Sequence, residues 1–225
     1  MYDADVLKQF SSMPVFSLSD VNQIINNKNY AKVFVKRMAK KQKILKIKKN
    51  TYTLHDDPFL ISTFLIRPSY ISSASALSHH NLITQMPSEI FCATSKTSRR
   101  INFISPINFS HTNHFWGFKT ENYDGFNISI AYPEKAIIDS FSILPISVFE
   151  EAFGSIDERR MIDYIKKIKK SSVAKRVGFL MEKNGFDIYS DVRDIINYKY
   201  IPLDPLIKNR GTKNTRWGII DNIGL

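Results

Sequence analysis

A chain of 225 residues, 43% hydrophobic and 24% charged, can bury one large core or two smaller ones, and its formal net charge of +11 points to a polyanionic partner. No run of about 18 apolar residues occurs, which argues against a membrane-spanning helix, and Cys92 as the single cysteine excludes an internal disulfide and a zinc site built on several thiolates. The acidic start Met1-Tyr2-Asp3-Ala4-Asp5 lacks a basic region followed by an apolar stretch, so no signal peptide is expected and the chain reads as cytoplasmic.

Taken in chain order, Val6, Leu7 and Phe10 share one face of a first helix that ends near Met13-Pro14, because proline disfavours a helical residue before it. Ser17 and Ser19 are candidate N-caps for a short second helix carrying Val21, Ile24 and Ile25, ended by Asn26-Asn27. After a turn around Lys28-Asn29, the segment from Tyr30 to Lys41 puts Ala31, Phe34, Val35 and Met38 on one side and Lys32, Lys36, Arg37 and Lys40 elsewhere. Ile44 to Lys48, a Lys49-Asn50 turn, and Thr51 to Leu54 read as a hairpin. The order helix, helix, helix, hairpin predicts a winged helix-turn-helix over residues 1–57. The following apolar stretch, Phe59 to Ile66, reads as a buried connection.

A larger mixed domain is expected over residues 58–225, making the whole chain α+β. Its predicted elements begin with a small-residue helix through Ala74, Ala76, Leu77 and His80, capped by Ser72 or Ser73. An apolar strand, Ile90 to Thr94, is followed by the basic turn Lys96-Thr97-Ser98-Arg99-Arg100 and a returning strand, Ile101 to Ile104. Two further strands, Phe115 to Thr120 and Phe126 to Ala131, flank the hairpin signal Asp124-Gly125. Pro133 opens a helix with Glu134 at its positive end. Helices follow over Phe149 to Phe153, Glu158 to Lys169 and Ser172 to Lys183, the last closed by Asn184-Gly185. The tail from Tyr200 to Leu225 is expected to be extended, with Trp217 to Ile220 as one strand.

The charge is concentrated. Residues 28–49 hold ten Lys or Arg and no acid, a local positive potential suited to nucleic acid or an anionic surface. In a helix-turn-helix the second of two crossing helices enters the major groove, where side chains meet base edges and flanking cations meet phosphates. Asn29 to Lys41 is the expected recognition helix, with Asn29, Tyr30, Lys32, Val33, Lys36, Arg37 and Lys40 nearest to double-stranded DNA. Arg37 has the geometry for a bidentate guanine contact or a phosphate clamp. Lys46, Lys48, Lys49 and Asn50 are expected on the wing. Lys96, Arg99 and Arg100 are candidate secondary contacts. Lys166, Lys167, Lys169, Lys170, Lys175 and Arg176 fit either flanking contacts with DNA, an acidic or RNA-bearing partner, or a solvated helix face.

Beyond this pattern, the hairpin Ile44 to Leu54, the block Tyr70-Ile71-Ser72-Ser73-Ala74-Ser75-Ala76-Leu77-Ser78-His79-His80-Asn81-Leu82-Ile83-Thr84, the basic turn Thr94 to Arg100, and Ala131-Tyr132-Pro133-Glu134-Lys135-Ala136-Ile137-Ile138-Asp139 form a recognisable series. Together they resemble the AbiEi family of antitoxins from type IV toxin-antitoxin systems, which serve abortive infection as antiviral defence. The resemblance runs over roughly residues 5–220. It implies a bifunctional protein whose winged helix represses its operon at promoter inverted repeats and whose C-terminal domain counteracts a nucleotidyltransferase-like toxin without a stable complex.

Catalytic chemistry finds little support in the residues. Glu134 and Asp139 lie about 140° apart on a helix, a poor bite for one metal, so a helix-dipole role and solvated or interface ion pairs are the expected use of Glu134, Lys135 and Asp139. His79 and His80 diverge on a helix, and His111 and His114 sit in a loop-like segment without acid or Cys at ligand spacing. Cys92, inside an apolar strand, reads as a small core residue. The expectation is no enzyme, no metal and no cofactor. The competing readings are a stand-alone winged-helix regulator with a ligand-sensing or dimerising C-terminal domain, and a DNA-tethered nuclease or nucleotidyltransferase.

Overall fold

The computed structural model describes residues 3–208 and 210–224. Met1 and Tyr2 of the acidic start and Leu225 at the end of the expected tail lie outside the described residues. The fold mixes helices with three separate sheets.

The chain begins with α1 (Asp3–Phe10), β1 (Phe16–Ser17), α2 (Leu18–Ile25), α3 (Lys28–Lys40) and the hairpin β2 (Leu45–Lys48) and β3 (Thr51–Thr53). Ser17 and Asp20 close a capping box on α2: the Ser17 hydroxyl accepts from the Asp20 N–H at 3.2 Å and the Asp20 carboxylate from the Ser17 N–H at 2.6 Å. Ser17, not Ser19, is therefore the cap. Strand β1 pairs antiparallel with β3 in a sheet of order β1-β3-β2, with Phe16 opposite Tyr52. This strand of two residues is absent from the sequence reading, being too short to carry an alternation. Val6, Phe10, Phe16, Val21, Ala31, Phe34, Val35, Met38, Ile44 and Tyr52 bury one another in a cluster drawn from these elements and from Ile44 just before β2.

The apolar stretch read as a connection is a helix, α4 (Pro58–Leu65). Proline at its first position and the Asp57 side chain, which accepts from the Phe59 N–H at 2.7 Å, start it. It buries Leu60, Ile61, Ser62, Thr63 and Leu65, and a helix buried on nearly every side has no amphipathic stripe to betray it. After β4 (Ser69–Ile71) comes α5 (Ser73–His79), but Ser72 does not cap it: its hydroxyl donates to Asp139 Oδ2 at 2.7 Å instead.

Then follow β5 (Ile90–Thr94), β6 (Arg99–Asn102), β7 (Pro106–His111), β8 (Phe118–Tyr123) and β9 (Phe126–Ala131), which with β4 make a six-stranded sheet of order β6-β7-β5-β4-β9-β8. The expected return of β6 onto β5 is corrected here. Strand β7, unforeseen, lies between them, parallel to β5 and antiparallel to β6, and it takes His111 out of the expected loop. The tight connection is the one between Asn102 and Pro106, which are opposed in register, with proline at the strand start where its missing N–H is tolerated. Between β8 and β9, Asp124 (φ +48°) and Gly125 (φ +80°) make the foreseen two-residue turn.

Helix α6 (Pro133–Ser140) is followed by 3-10 turns at Ile146–Val148 and Glu150–Ser155, where an α-helix over 149–153 was expected. Helices α7 (Glu158–Ile168), α8 (Ser171–Lys183) and α9 (Tyr189–Val192) come next, the last one unforeseen. The tail carries three short strands where one was expected: β10 (Ile201–Pro202), β11 (Thr212–Asn214) and β12 (Ile219–Asp221), in the order β10-β12-β11.

Residues group into two compact units that do not follow the 57/58 division. One gathers 1–70, 88–112 and 120–129; the other gathers 71–87, 113–119 and 130–225. Among the described residues no helix is long and apolar enough to cross a membrane.

Candidate nucleic-acid interface

Two asparagines aim α3. Asn26, in the left-handed region at φ +53°, ends α2 by donating its N–H to the Asn22 carbonyl at 2.8 Å. Asn27 then starts α3, its side-chain oxygen accepting from the Asn29 and Tyr30 N–H groups at 3.1 and 3.0 Å. The turn is thus one residue earlier than expected, and Lys28 and Asn29 are already helical. Ala31, Phe34, Val35 and Met38 are buried, which fixes the rotation of α3 and leaves Asn29, Tyr30, Lys32, Val33, Lys36 and Lys40 exposed. No acidic residue lies on this helix.

Arg37 is placed differently from its lysine neighbours. Its guanidinium is half-exposed, donating to Asp3 Oδ1 at 2.5 Å and to the Tyr30 hydroxyl at 3.3 Å, over the Tyr30 ring at 5.9 Å. The Tyr30 hydroxyl and the Asp3 carboxylate both favour its charged form. It is engaged with its own chain on the border of the cationic face.

On the hairpin, Lys46, Lys49 and Asn50 are exposed, and Asn50 takes the left-handed conformation of the turn at φ +59°. A bulge between Lys46 and Lys48 re-aims the strand. Lys48 consequently turns inward, its ammonium donating to the Leu65 carbonyl at 3.3 Å, and burial together with the charge of Arg99 lowers its pKa. Of the four residues assigned to the wing, Lys48 is therefore the one tied to protein.

The secondary basic residues divide. Lys96, Arg99 and Arg100 are exposed; Arg100 is paired with Glu89, which also accepts from Asn108, while Lys96 and Arg99 take part in none of the ion pairs among the described residues. Residues 95–98 border an open concavity of about 650 Å³ together with His111, whose N–H donates to Ser98 Oγ at 2.9 Å. Lys175 and Arg176 are corrected: neither is on a solvated face. The Lys175 ammonium is buried, donating to Asn197 Oδ1 at 2.9 Å and to the Lys199 carbonyl, and Arg176 Nε donates to the carbonyls of Pro202 and Leu203 at 3.1 and 3.0 Å. They hold the tail onto α8. Lys167 lies 4.4 Å from the Trp116 ring centroid, Lys166 reaches Asp191 at 3.9 Å, and Lys169 and Lys170 are exposed.

Glu134, Lys135 and Asp139 are likewise less solvated than expected. Glu134 and Lys135 are 1% and 0% exposed. Glu134 accepts from the Asp157 N–H at 2.8 Å and from Arg160 Nη1 at 3.2 Å, and Lys135 pairs with Asp139 and lies 5.5 Å from the Trp116 ring centroid. The two carboxylates thus serve different cations. Among the described residues no group of three or more His, Cys, Asp or Glu is arranged to hold a metal ion. Burial pushes the Cys92 thiol up to about 12, the condition of an inert core thiol.

No family model and no curated protein matches the chain. Its fold is similar to a solved one. The crystal structure of the RV2827C protein from Mycobacterium tuberculosis superposes with a TM-score of 0.70 at 11% identity, covering 97% of this chain and 90% of that one. At such identity the likeness concerns the fold alone.

Proposed function

We propose that residues 1–57 are a winged helix-turn-helix that binds double-stranded DNA, and that the protein is a transcriptional repressor and antitoxin of a type IV toxin-antitoxin system. One observation carries the DNA-binding half: α3, preceded by a helix and a tight turn and followed by a hairpin, exposes Asn29, Tyr30, Lys32, Lys36 and Lys40 and carries no acid of its own. Lodged in a major groove, such a face brings amide, phenol and ammonium groups to base edges and phosphates. Lys46, Lys49 and Asn50 then track the adjoining backbone. Arg37, held by Asp3 and Tyr30, acts as a phosphate clamp at the edge of this face and not as its main base reader.

The antitoxin half rests on the AbiEi-like sequence blocks. In this reading a cytoplasmic protein silences its own operon at inverted repeats and opposes a nucleotidyltransferase-like toxin through its C-terminal region, as a binding protein without cofactor or catalytic step. A gel shift on the chain's own upstream DNA tests the first half: the wild type shifts it in a salt-sensitive manner and Lys36→Ala/Lys40→Ala does not. An unshifted wild type refutes the repressor. Relief of growth arrest on co-expression with the adjacent toxin tests the second half.

A further inference from the structure

Strand β6 is one edge of the six-stranded sheet. Its single buried side chain is Ile101; Arg99, Arg100 and Asn102 are exposed. A cation on an edge strand guards it against pairing with another chain, but that purpose is met by Arg100 with its Glu89 partner. Arg99 and, in the connection before it, Lys96 are left without such an acid. Within the same compact unit, β2 of the hairpin lies against β6, close enough for the charge of Arg99 to lower the pKa of Lys48. Like charges held side by side repel, and a chain of phosphates is the ligand that converts this repulsion into attraction. The 95–98 connection adds hydroxyls: Ser95, Thr97 and Ser98 line the concavity with Lys96 and His111, and Ser98 Oγ, already accepting from the His111 N–H, keeps its own proton to donate. Hydroxyls beside cations are the usual donors to the nucleic-acid backbone.

Building on the DNA-binding reading, we infer that the duplex surface continues past the hairpin onto β6 and the 95–98 connection, where Lys96 and Arg99 contact backbone phosphates of the same DNA. The footprint is then formed by two segments of one unit that lie about fifty residues apart in sequence, and the phosphate count exceeds what residues 1–57 supply.

The experiment measures binding of the full chain to a random-sequence duplex by fluorescence anisotropy over a salt series. The slope of log Kd against log salt counts phosphate contacts at roughly 0.9 per contact. Lys96→Gln/Arg99→Gln lowers the slope by roughly two of these contacts, whereas the charge-preserving swap Lys96→Arg/Arg99→Lys keeps it. Arg159→Gln/Arg193→Gln, an equal charge loss at exposed arginines of the other unit, leaves it unchanged. A wild-type slope in Lys96→Gln/Arg99→Gln, alongside a reduced slope in Lys36→Gln/Lys40→Gln, overturns the extension and leaves the DNA-binding reading standing. A wild type that binds the duplex without salt dependence overturns both.

Discussion

Lys135 sits inside its unit with its ammonium against Asp139, and Asp139 also takes the hydroxyl proton of Ser72. A pair this deep gains little over apolar packing, yet removing one partner strands the other's charge. Asp139→Asn, which takes the carboxylate from a fully buried ammonium, is expected to cost about 3–5 kcal/mol in urea unfolding, and Lys135→Met less, because the Asp139 carboxylate stays partly exposed and keeps the Ser72 hydroxyl as donor; equal losses would contradict that asymmetry. Burial lowers the Lys135 pKa, outweighing the opposite pull of Asp139. The native state therefore releases this proton at a lower pH than the unfolded chain does. Between the lowered pKa and the ordinary lysine value the unfolded state binds more protons, so stability rises with pH in that alkaline window. Lys135→Met should flatten the rise, as thermal melts from neutral pH up to the ordinary lysine range would record. On the cationic face of α3, Asp3 is the one acid bonded to it among the described residues. Asp3→Asn should tighten duplex binding at low salt with little change in melting temperature, since exposed pairs add little stability; weaker binding would mean that the pair is needed to position Arg37.

Helices α2 and α3 owe their mutual placement to Asn26 and Asn27, back to back between them. Loss of the Asn27 side chain leaves two N–H groups of α3 without their acceptor, and Asn27→Ala should cost about 1 kcal/mol. DNA affinity should fall along with it, because the first turn of α3 carries Asn29 and Tyr30; unchanged affinity would show that the start of α3 does not touch the duplex. In α8, Gly178 lies under the Trp217 ring, and a methyl built there would come within 2.0 Å of the indole. Gly178→Ala should thus destabilise by about 1–3 kcal/mol in spite of its better helix propensity, with a change in tryptophan fluorescence reporting the displaced ring. The first three helices and the hairpin were legible because each carries one apolar stripe or one alternation. Helix α4 was not, being apolar almost all round. Lys175 and Arg176 were misread for another reason: a cation reads as exposed until a carbonyl some twenty residues later is seen to accept from it. Strand β7 did have a signal, Ile107 and Phe109 alternating with Asn108 and Ser110, masked by the neighbouring proline and by the assumption that β6 returns to β5.

At the scale of the whole molecule, the order of the predicted elements foretold an α+β chain, and one hydrophobic cluster gathers residues of the stretch from α1 to β3 alone. The unit around that cluster is not so confined. It also recruits 88–112 and 120–129, segments whose assignment depends on contacts that no local pattern encodes. Truncation at residue 57 or 60 therefore removes part of a unit from either product, and point variants separate the proposed activities more cleanly. In the full chain, Lys32→Ala/Lys36→Ala/Lys40→Ala should derepress a promoter reporter at least tenfold, by an estimate of about 1.4 kcal/mol or more of lost binding, while protection from the toxin persists. Loss of both together would mean that repression and protection share one surface. The alternation of segments between the units also sets an order for biosynthesis. The cluster of α1 to β3 can collapse as soon as its own residues have left the ribosome, but the rest of its unit waits for β9, by which time parts of the second unit have already emerged. The first unit is then complete while the longest segment of the second is still to be made, and a pause in translation before residue 129 would hold the edge strand β6 and its arginines unfinished beside an already folded hairpin.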